Sequence, residues 1–365
     1  MPFADFYGND STVKALRQMI GGNRLASGII LAGPRGAGKY TLALMITKAL
    51  RCLRKPITSG LPDFCGECDN CLRLAACDDL AARVAEATEA REDMRDADKK
   101  DTRILVQTDP DVLIIPPDPP QLLIKLGQVR TVIDRSQRHP AEGAERIFIF
   151  TAATFMKEAA NSLLKVLEEP GPFAHIFLLA EHSGELLPTI RSRCAMFRLY
   201  PLPVTELEAV LAKRRSEWPA KQRELVARLS EGSIGRALGF DLTAYQAARA
   251  DALTLLKNSM NDADHTALFK MTETYRGGAD GQQKTTTLLR SAASLLQDVT
   301  MLQHGVPALV KNRDVLAELE RLAAQTTFEW IDAALQGLAS VESGMRRNAL
   351  RNLSLDALAA RMEGA

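Results

Sequence analysis

The stretch Gly28 to Leu50, GIILAGPRGAGKYTLALMITKAL, restricts this chain more than any other. An apolar run, Ile29-Ile30-Leu31, leads into Gly33-Pro34-Arg35-Gly36-Ala37-Gly38-Lys39 and then into a segment with the apolar spacing of a helix. A strand, a glycine loop and a helix in that order make a phosphate-binding P-loop, which commits the region to a parallel α/β sheet. The glycines let backbone N–H groups turn inward around phosphate oxygens, the helix N-terminus adds a partial positive charge, and Lys39 supplies a full one. After the lysine the motif calls for a small hydroxyl to ligate Mg²⁺, and here Tyr40 stands in that place. A phenol is too long to put its oxygen where a serine hydroxyl would sit, and Thr41 lies about 100° further round the helix. Gly33, Gly36, Gly38, Lys39, Tyr40 and Thr41 therefore form a nucleotide-binding set that is vestigial on its metal side, with ATP as the candidate ligand.

At 365 residues the chain has room for two or three domains, each with its own core. A net charge of +1 excludes a globally basic surface, so contact with nucleic acid has to come from a local patch or from a partner. No apolar run approaches the roughly 18 to 20 residues of a membrane span, and MPFADFYGND has no signal-peptide pattern. The expected location is the cytoplasm, with no membrane partner.

Five of the six cysteines fall between Cys52 and Cys77. In a reducing compartment a local cluster argues for metal and against a disulfide network. Cys65-Gly66-Glu67-Cys68-Asp69-Asn70-Cys71 puts three thiolates on one tight loop, and Cys52, at the end of the P-loop helix, can return as the fourth. Structural Zn²⁺ takes four such soft ligands in a closed tetrahedron. An iron–sulfur cluster competes, because C-x-x-C-x-x-C also begins some ferredoxin motifs, but its fourth spacing does not fit Cys77. Cys77 and Cys52 remain alternatives for the fourth ligand.

Residues 1–27 read as a helical preface, with Asp10, Ser11 or Thr12 as caps and Val13, Leu16 and Ile20 on one face. Asp78 to Arg103 holds nine acidic and six basic residues, which reads as an exposed charged helix or insertion, with a partner-binding arm as the alternative. Core-like strands follow at Asp111–Ile115, Arg146–Phe150 and Ile176–Ala180, with helical spacing from Lys125 to Arg138 and from Phe155 to Glu169. The strand ending at Phe150 sits where a P-loop ATPase carries its acidic pair, but Thr151-Ala152-Ala153 follows and neither carboxylate is present. Arg191 and Arg193 fall at the rim of the sheet, where surface solvation or a local ion pair would explain them as well as a function. Beyond Pro201 and Pro203 the chain is helical to its end, and its amphipathic stripes suit a bundle in which Trp330 is a core anchor.

Four features converge in order: the glycine loop, the cysteine set, Asn161-Ser162-Leu163-Leu164-Lys165-Val166-Leu167-Glu168-Glu169-Pro170, and Ser192-Arg193-Cys194. Together they resemble the bacterial clamp-loader ATPase family, the AAA+ subunits of DNA polymerase III. Gly232-Ser233-Ile234-Gly235-Arg236 is similar to the family's lid motif. The resemblance implies an AAA+ parallel α/β P-loop domain over 1–200 with a zinc module at about 52–77. It further implies a helical lid over 201–245 and a C-terminal helical collar over 246–365, a fold class of α/β plus all-α. It covers most of residues 1–245 and not the charged insertion at about 78–103. Thr151 to Ala153 replaces the motor subunits' acidic pair and Ala180 their polar sensor residue, so the resemblance points to a non-hydrolysing member of the polymerase holoenzyme. Arg193 then resembles an arginine finger acting in trans on a neighbour's ATP, and Arg236 a lid residue facing nucleotide in cis. The implied partners are gamma/tau-like ATPases, a delta-like subunit, the sliding clamp, and primer-template DNA through the assembled complex, at replication forks on the nucleoid. A competent gamma/tau-like motor using Lys39 is the alternative.

Overall fold

In a computed structural model the chain divides into two compact units, Met1–Val210 with Gly232–Arg236, and Leu211–Glu231 with Ala237–Ala365. The structure describes residues 2–95, 98–99, 102–119, 121–261, 265–276, 278–345 and 350–363. Residues 96, 97, 100 and 101 of the charged insertion lie outside them.

The first unit is built on the strands β1 (Gly28–Ala32), β2 (Ile57–Thr58), β3 (Leu61–Pro62), β4 (Val106–Asp109), β5 (Val112–Ile115), β6 (Arg146–Phe150), β7 (Ala174–Ala180) and β8 (Ala195–Arg198). Six of them form one sheet in the order β4-β5-β6-β7-β1-β8, and β2 and β3 pair separately as a hairpin. All pairings in the large sheet are parallel except β4 with β5. β1, β5 and β6 are buried at every position, as continuous apolar strands covered on both faces should be. Alternation then sends Ile29, Leu31, Ile147 and Ile149 into one core and Ile30, Phe148 and Phe150 into the other. Helices α1 (Asp10–Gly21), α2 (Lys39–Arg51) and α3 (Asp69–Ala75) supply the first core. After α4 (Leu80–Glu92), helices α5 (Leu126–Ser136) and α6 (Lys157–Glu168) supply the second.

Local details depart from the sequence reading. Helix α1 begins at Asp10 with Asn9 as its N-cap, in a left-handed conformation (φ 55°) and without a side-chain capping bond. The Asn9 amide is used elsewhere: it donates to the Tyr200 carbonyl and accepts from the Tyr200 N–H at 2.7 Å. Strands β4 and β8 carried too weak a pattern to be expected. The charged insertion begins as a helix, α4, with no buried residue, and Leu80 and Val84 only rest half-buried on the core. Its end is tied down by Arg91, whose Nη1 donates to the fully buried Asp118 at 2.6 Å.

The short α7 (Pro188–Arg191) closes the approach to β8, and the division between the units falls within α8 (Val204–Arg214) and α10 (Ile234–Leu238), either side of α9 (Ala220–Leu229). Among its described residues the second unit has helices and no strand: beyond α9 and the adjoining parts of α8 and α10 come α11 (Leu242–Asn261), α12 (Thr266–Glu273), α13 (Gly278–Gln303), α14 (Leu316–Gln325), α15 (Phe328–Met345) and α16 (Arg351–Glu363). Leu255, Leu288, Leu295, Ala334 and Leu355 are fully buried in its core, where Trp330 also packs. No described helix is long and apolar enough to cross a membrane.

Candidate functional site

The phosphate loop joins β1 to α2 at the carboxyl edge of the sheet, with Gly36 (φ +79°) and Gly38 (φ +85°) in the left-handed region that lets successive N–H groups converge. The loop is occupied by its own chain. Lys39 Nζ donates to the carbonyls of Gly33 at 2.6 Å and Pro34 at 2.9 Å. Burial lowers the Lys39 pKa from its ordinary value, against the raising effect of Glu181 and Glu185. The Gly232–Arg236 segment lies on the outside of the loop: Ser233 Oγ donates to the Arg35 carbonyl at 2.9 Å and the Gly235 N–H to the Gly36 carbonyl at 3.1 Å. A Cβ on Gly36 would come within 2.1 Å of Ser233 Oγ and 3.4 Å of Arg236 Cγ, so the structure brings Arg236 to the loop. Phe6 covers Gly38 from the other side, its ring 2.9 Å from where a Cβ would stand.

Tyr40 turns away from this loop. Its hydroxyl donates to the Cys77 carbonyl at 2.7 Å, and burial raises its pKa well above the ordinary phenol value. Thr41 is exposed. The strand β6 runs out into Thr151, whose N–H is bound by the Ile115 carbonyl at 3.1 Å.

The cysteines form a second centre at the opposite end of α2. Sulfur atoms of Cys52, Cys65, Cys68 and Cys71 all lie within 4.8 Å of one another, and Cys52 Sγ is 3.6 Å from Cys65 Sγ. A tetrahedral ion with bonds of about 2.3 Å needs sulfurs about 3.8 Å apart, so the four fit one ion. A multi-iron cluster would spread its ligands further. Gly66 (φ +74°) makes the turn that lets the N–H groups of Glu67 and Cys68 reach Cys65 Sγ at 3.4 and 3.3 Å. Those bonds, the Glu67 N–H first, pull the Cys65 thiol down to about 6, whereas burial pushes Cys71 up. Cys77 stands apart from the four, its sulfur 3.1 Å from Thr108 Oγ1.

Three contacts fasten this centre along the length of α2. Besides Tyr40 to Cys77, Lys48 Nζ donates to Asp78 at 2.7 Å and the Asn70 amide donates to the Arg51 carbonyl at 2.8 Å. Beneath them lies a buried charge network: Arg51 pairs with Asp109 and Asp111 at 3.1 Å each, Arg146 with Asp111 at 3.1 Å, and Arg73 with Asp109 at 3.4 Å. Sequence reasoning passed over these residues because nothing in their spacing sets them apart from surface charge. The one available signal was Arg51, which directly precedes Cys52 at the end of α2.

The third element is Arg193, just after α7. It is exposed at the edge of the unit, where its Nη2 donates to Glu168 Oε1 at 2.6 Å and its Nη1 to the Thr189 carbonyl at 2.8 Å. Cys194 beside it is half-buried, and burial pushes its thiol up to about 11.

The family model described as DNA polymerase III, delta subunit, matches residues 8–203, more than half of the chain and all three elements just described except the lid segment. The chain belongs to that family. It is 32% identical over 218 residues to the DNA polymerase III delta prime subunit of Escherichia coli, a match covering 59% of this chain and 62% of the relative. It is also 26% identical over 350 residues to the DNA polymerase III tau subunit of Salmonella typhimurium, covering 89% of this chain and 48% of that one. The chain thus spans about half to less than two thirds of the length of these relatives. Among solved structures, a gamma subunit-related protein of Thermotoga maritima aligns over 97% of this chain and 99% of its own, at a TM-score of 0.43 and 18% identity. Family membership and the parallel P-loop sheet agree with the resemblance drawn from the motifs.

Proposed function

We propose that this chain is a stator subunit of the DNA polymerase III clamp loader, without useful ATPase of its own, that assists ATP-dependent loading of the sliding clamp on primed DNA. The reading rests on Tyr40. The residue that should offer Mg²⁺ a hydroxyl has committed its own to the Cys77 carbonyl, and no carboxylate follows β6 to replace it. What the chain retains is Arg193, a guanidinium at the surface whose planar fork suits phosphate oxygens. Acting in trans, it would neutralise charge developing on the γ-phosphate held by a neighbouring gamma/tau-like ATPase. A delta-like subunit, the sliding clamp and primer-template DNA are the other partners, in the cytoplasm at replication forks.

Cys52, Cys65, Cys68 and Cys71 would hold structural Zn²⁺, which supplies a closed cross-link and no reaction. The helices over about 246–365 serve as the collar, and residues 201–245 as the lid, with Arg236 at the loop. Gly33, Gly36, Gly38 and Lys39 would hold nucleotide in the loop, with Thr41 at the margin.

Steady-state ATP hydrolysis by the purified chain, beside Lys39→Ala, separates stator from motor. The stator reading expects no turnover from either. Turnover that disappears in Lys39→Ala would make this chain a motor.

A further inference from the structure

Arg193 does not extend free into solvent. Its Nη2 donates to Glu168 Oε1 at 2.6 Å, while Nη1 donates to the Thr189 carbonyl at 2.8 Å and reaches Ser192 Oγ at 3.3 Å. Glu168 is the last residue of α6, so the unsatisfied carbonyls of that helix end add partial negative charge where the guanidinium sits. A carboxylate, a carbonyl and a hydroxyl, all acceptors, thus hold the arginine on its own subunit. Phosphate oxygens would offer it the same kind of contact. The pair is also built to open. The Arg193 and Glu168 side chains are 35% and 49% exposed, so both groups regain water when they part and no core is uncovered.

We propose that Glu168 is a parking residue for Arg193, holding the finger on the chain's own surface and competing for it with the phosphates of the nucleotide on the neighbouring subunit. The proposal rests on the arginine-finger reading of Arg193. Parking lowers the fraction of complexes in which the finger is available, and the neighbour's apparent affinity for the γ-phosphate falls by that fraction. An exposed ion pair of this kind supports a bias of about threefold and is screened by salt. The same contact read as an orienting one makes the opposite prediction, because removing it would misdirect the finger and slow turnover.

The test measures ATP turnover in the complex assembled with its gamma/tau-like ATPase, using wild type, Glu168→Gln, Arg193→Ala and the double variant. Glu168→Gln keeps the shape and removes the charge. Parking predicts that it raises kcat/KM for ATP about threefold at low salt, that the gain shrinks toward unity as salt rises, and that the gain is absent in the Arg193→Ala background. An unchanged or lowered kcat/KM in Glu168→Gln, in a complex that Arg193→Ala slows, would overturn parking and leave the finger standing. Normal turnover in Arg193→Ala would overturn the finger itself, and parking with it.

Discussion

Replacing Arg51 by Met should unfold the first unit early, by an amount the charge network sets. The guanidinium is 2% exposed and neutralises two fully buried carboxylates, Asp109 and Asp111, at 3.1 Å each. The loop at Gly143 passes directly over it, with no room for a Cβ against Arg51 Nη1. Removing one partner of a buried pair costs about 3 to 5 kcal/mol, because the charge left behind is uncompensated. Here the loss is buffered unevenly. Asp111 keeps Arg146 and the N–H groups of Ala141 at 2.6 Å and Glu142 at 2.9 Å, whereas Asp109 keeps one backbone N–H, that of Asp111 at 3.0 Å, and the longer contact with Arg73 at 3.4 Å. The lower end of that range, about 3 kcal/mol, is the expected cost. For a unit of roughly 200 residues it lowers the melting temperature by about 6 to 12 °C. Arg54→Met is the control. Arg54 also flanks the cysteines and pairs with Glu67 at 2.9 Å, but the two side chains are 62% and 73% exposed, so its loss should cost under about 1 kcal/mol. Thermal melts by circular dichroism would measure both. Tryptophan fluorescence follows the other unit, since Trp218 and Trp330 both belong to it, and should not move. Equal small shifts for Arg51→Met and Arg54→Met would refute the reasoning.

Metal analysis of cysteine variants should find about one Zn²⁺ per wild-type chain, lost in Cys52→Ser and kept in Cys77→Ser; the reverse pattern would exchange the two ligands. Tyr40→Phe should destabilise the first unit by about 1 kcal/mol, the worth of one hydrogen bond, as read by urea denaturation. Burial alone would raise the Asp111 and Asp118 carboxyls, yet hydrogen bonds and the charges of Arg51 and Arg146, and of Arg91 and Lys125, bring both below the ordinary value of 3.8. Their contribution is complete above that value and is lost as pH falls through the folded values, so the first unit should lose stability steeply on acidification below about pH 4. Stability that stays flat in that interval would contradict the assignment.

The phosphate loop, the buried strands and the cysteine set were legible because each follows from residues close in sequence. Three glycines and a lysine in seven residues, or three cysteines in seven, leave few conformations that use them. The fourth cysteine needed the fold. Along the chain Cys77 is the nearer to the C-x-x-C-x-x-C loop, six positions beyond Cys71 against thirteen from Cys52 to Cys65, yet the end of α2 brings Cys52 into the cluster and leaves Cys77 beside Thr108. The destination of Tyr40 was half legible: its length excluded the metal role, but Cys77 as its acceptor follows from how α3 lies along α2. The Arg51 network and the Glu168 contact with Arg193 were not legible. Their contacts join residues 25 to 60 positions apart whose charges look like ordinary surface until the fold brings them together. Helix α1 shows the limit at short range, since Asn9 was drawn from capping duty to hold Tyr200.

ATP turnover by the assembled clamp loader, with wild-type chain beside Arg193→Ala, tests the central claim most directly. The account predicts a folded, assembling Arg193→Ala chain whose complex hydrolyses ATP far more slowly than wild type. Undiminished turnover in that complex would contradict it.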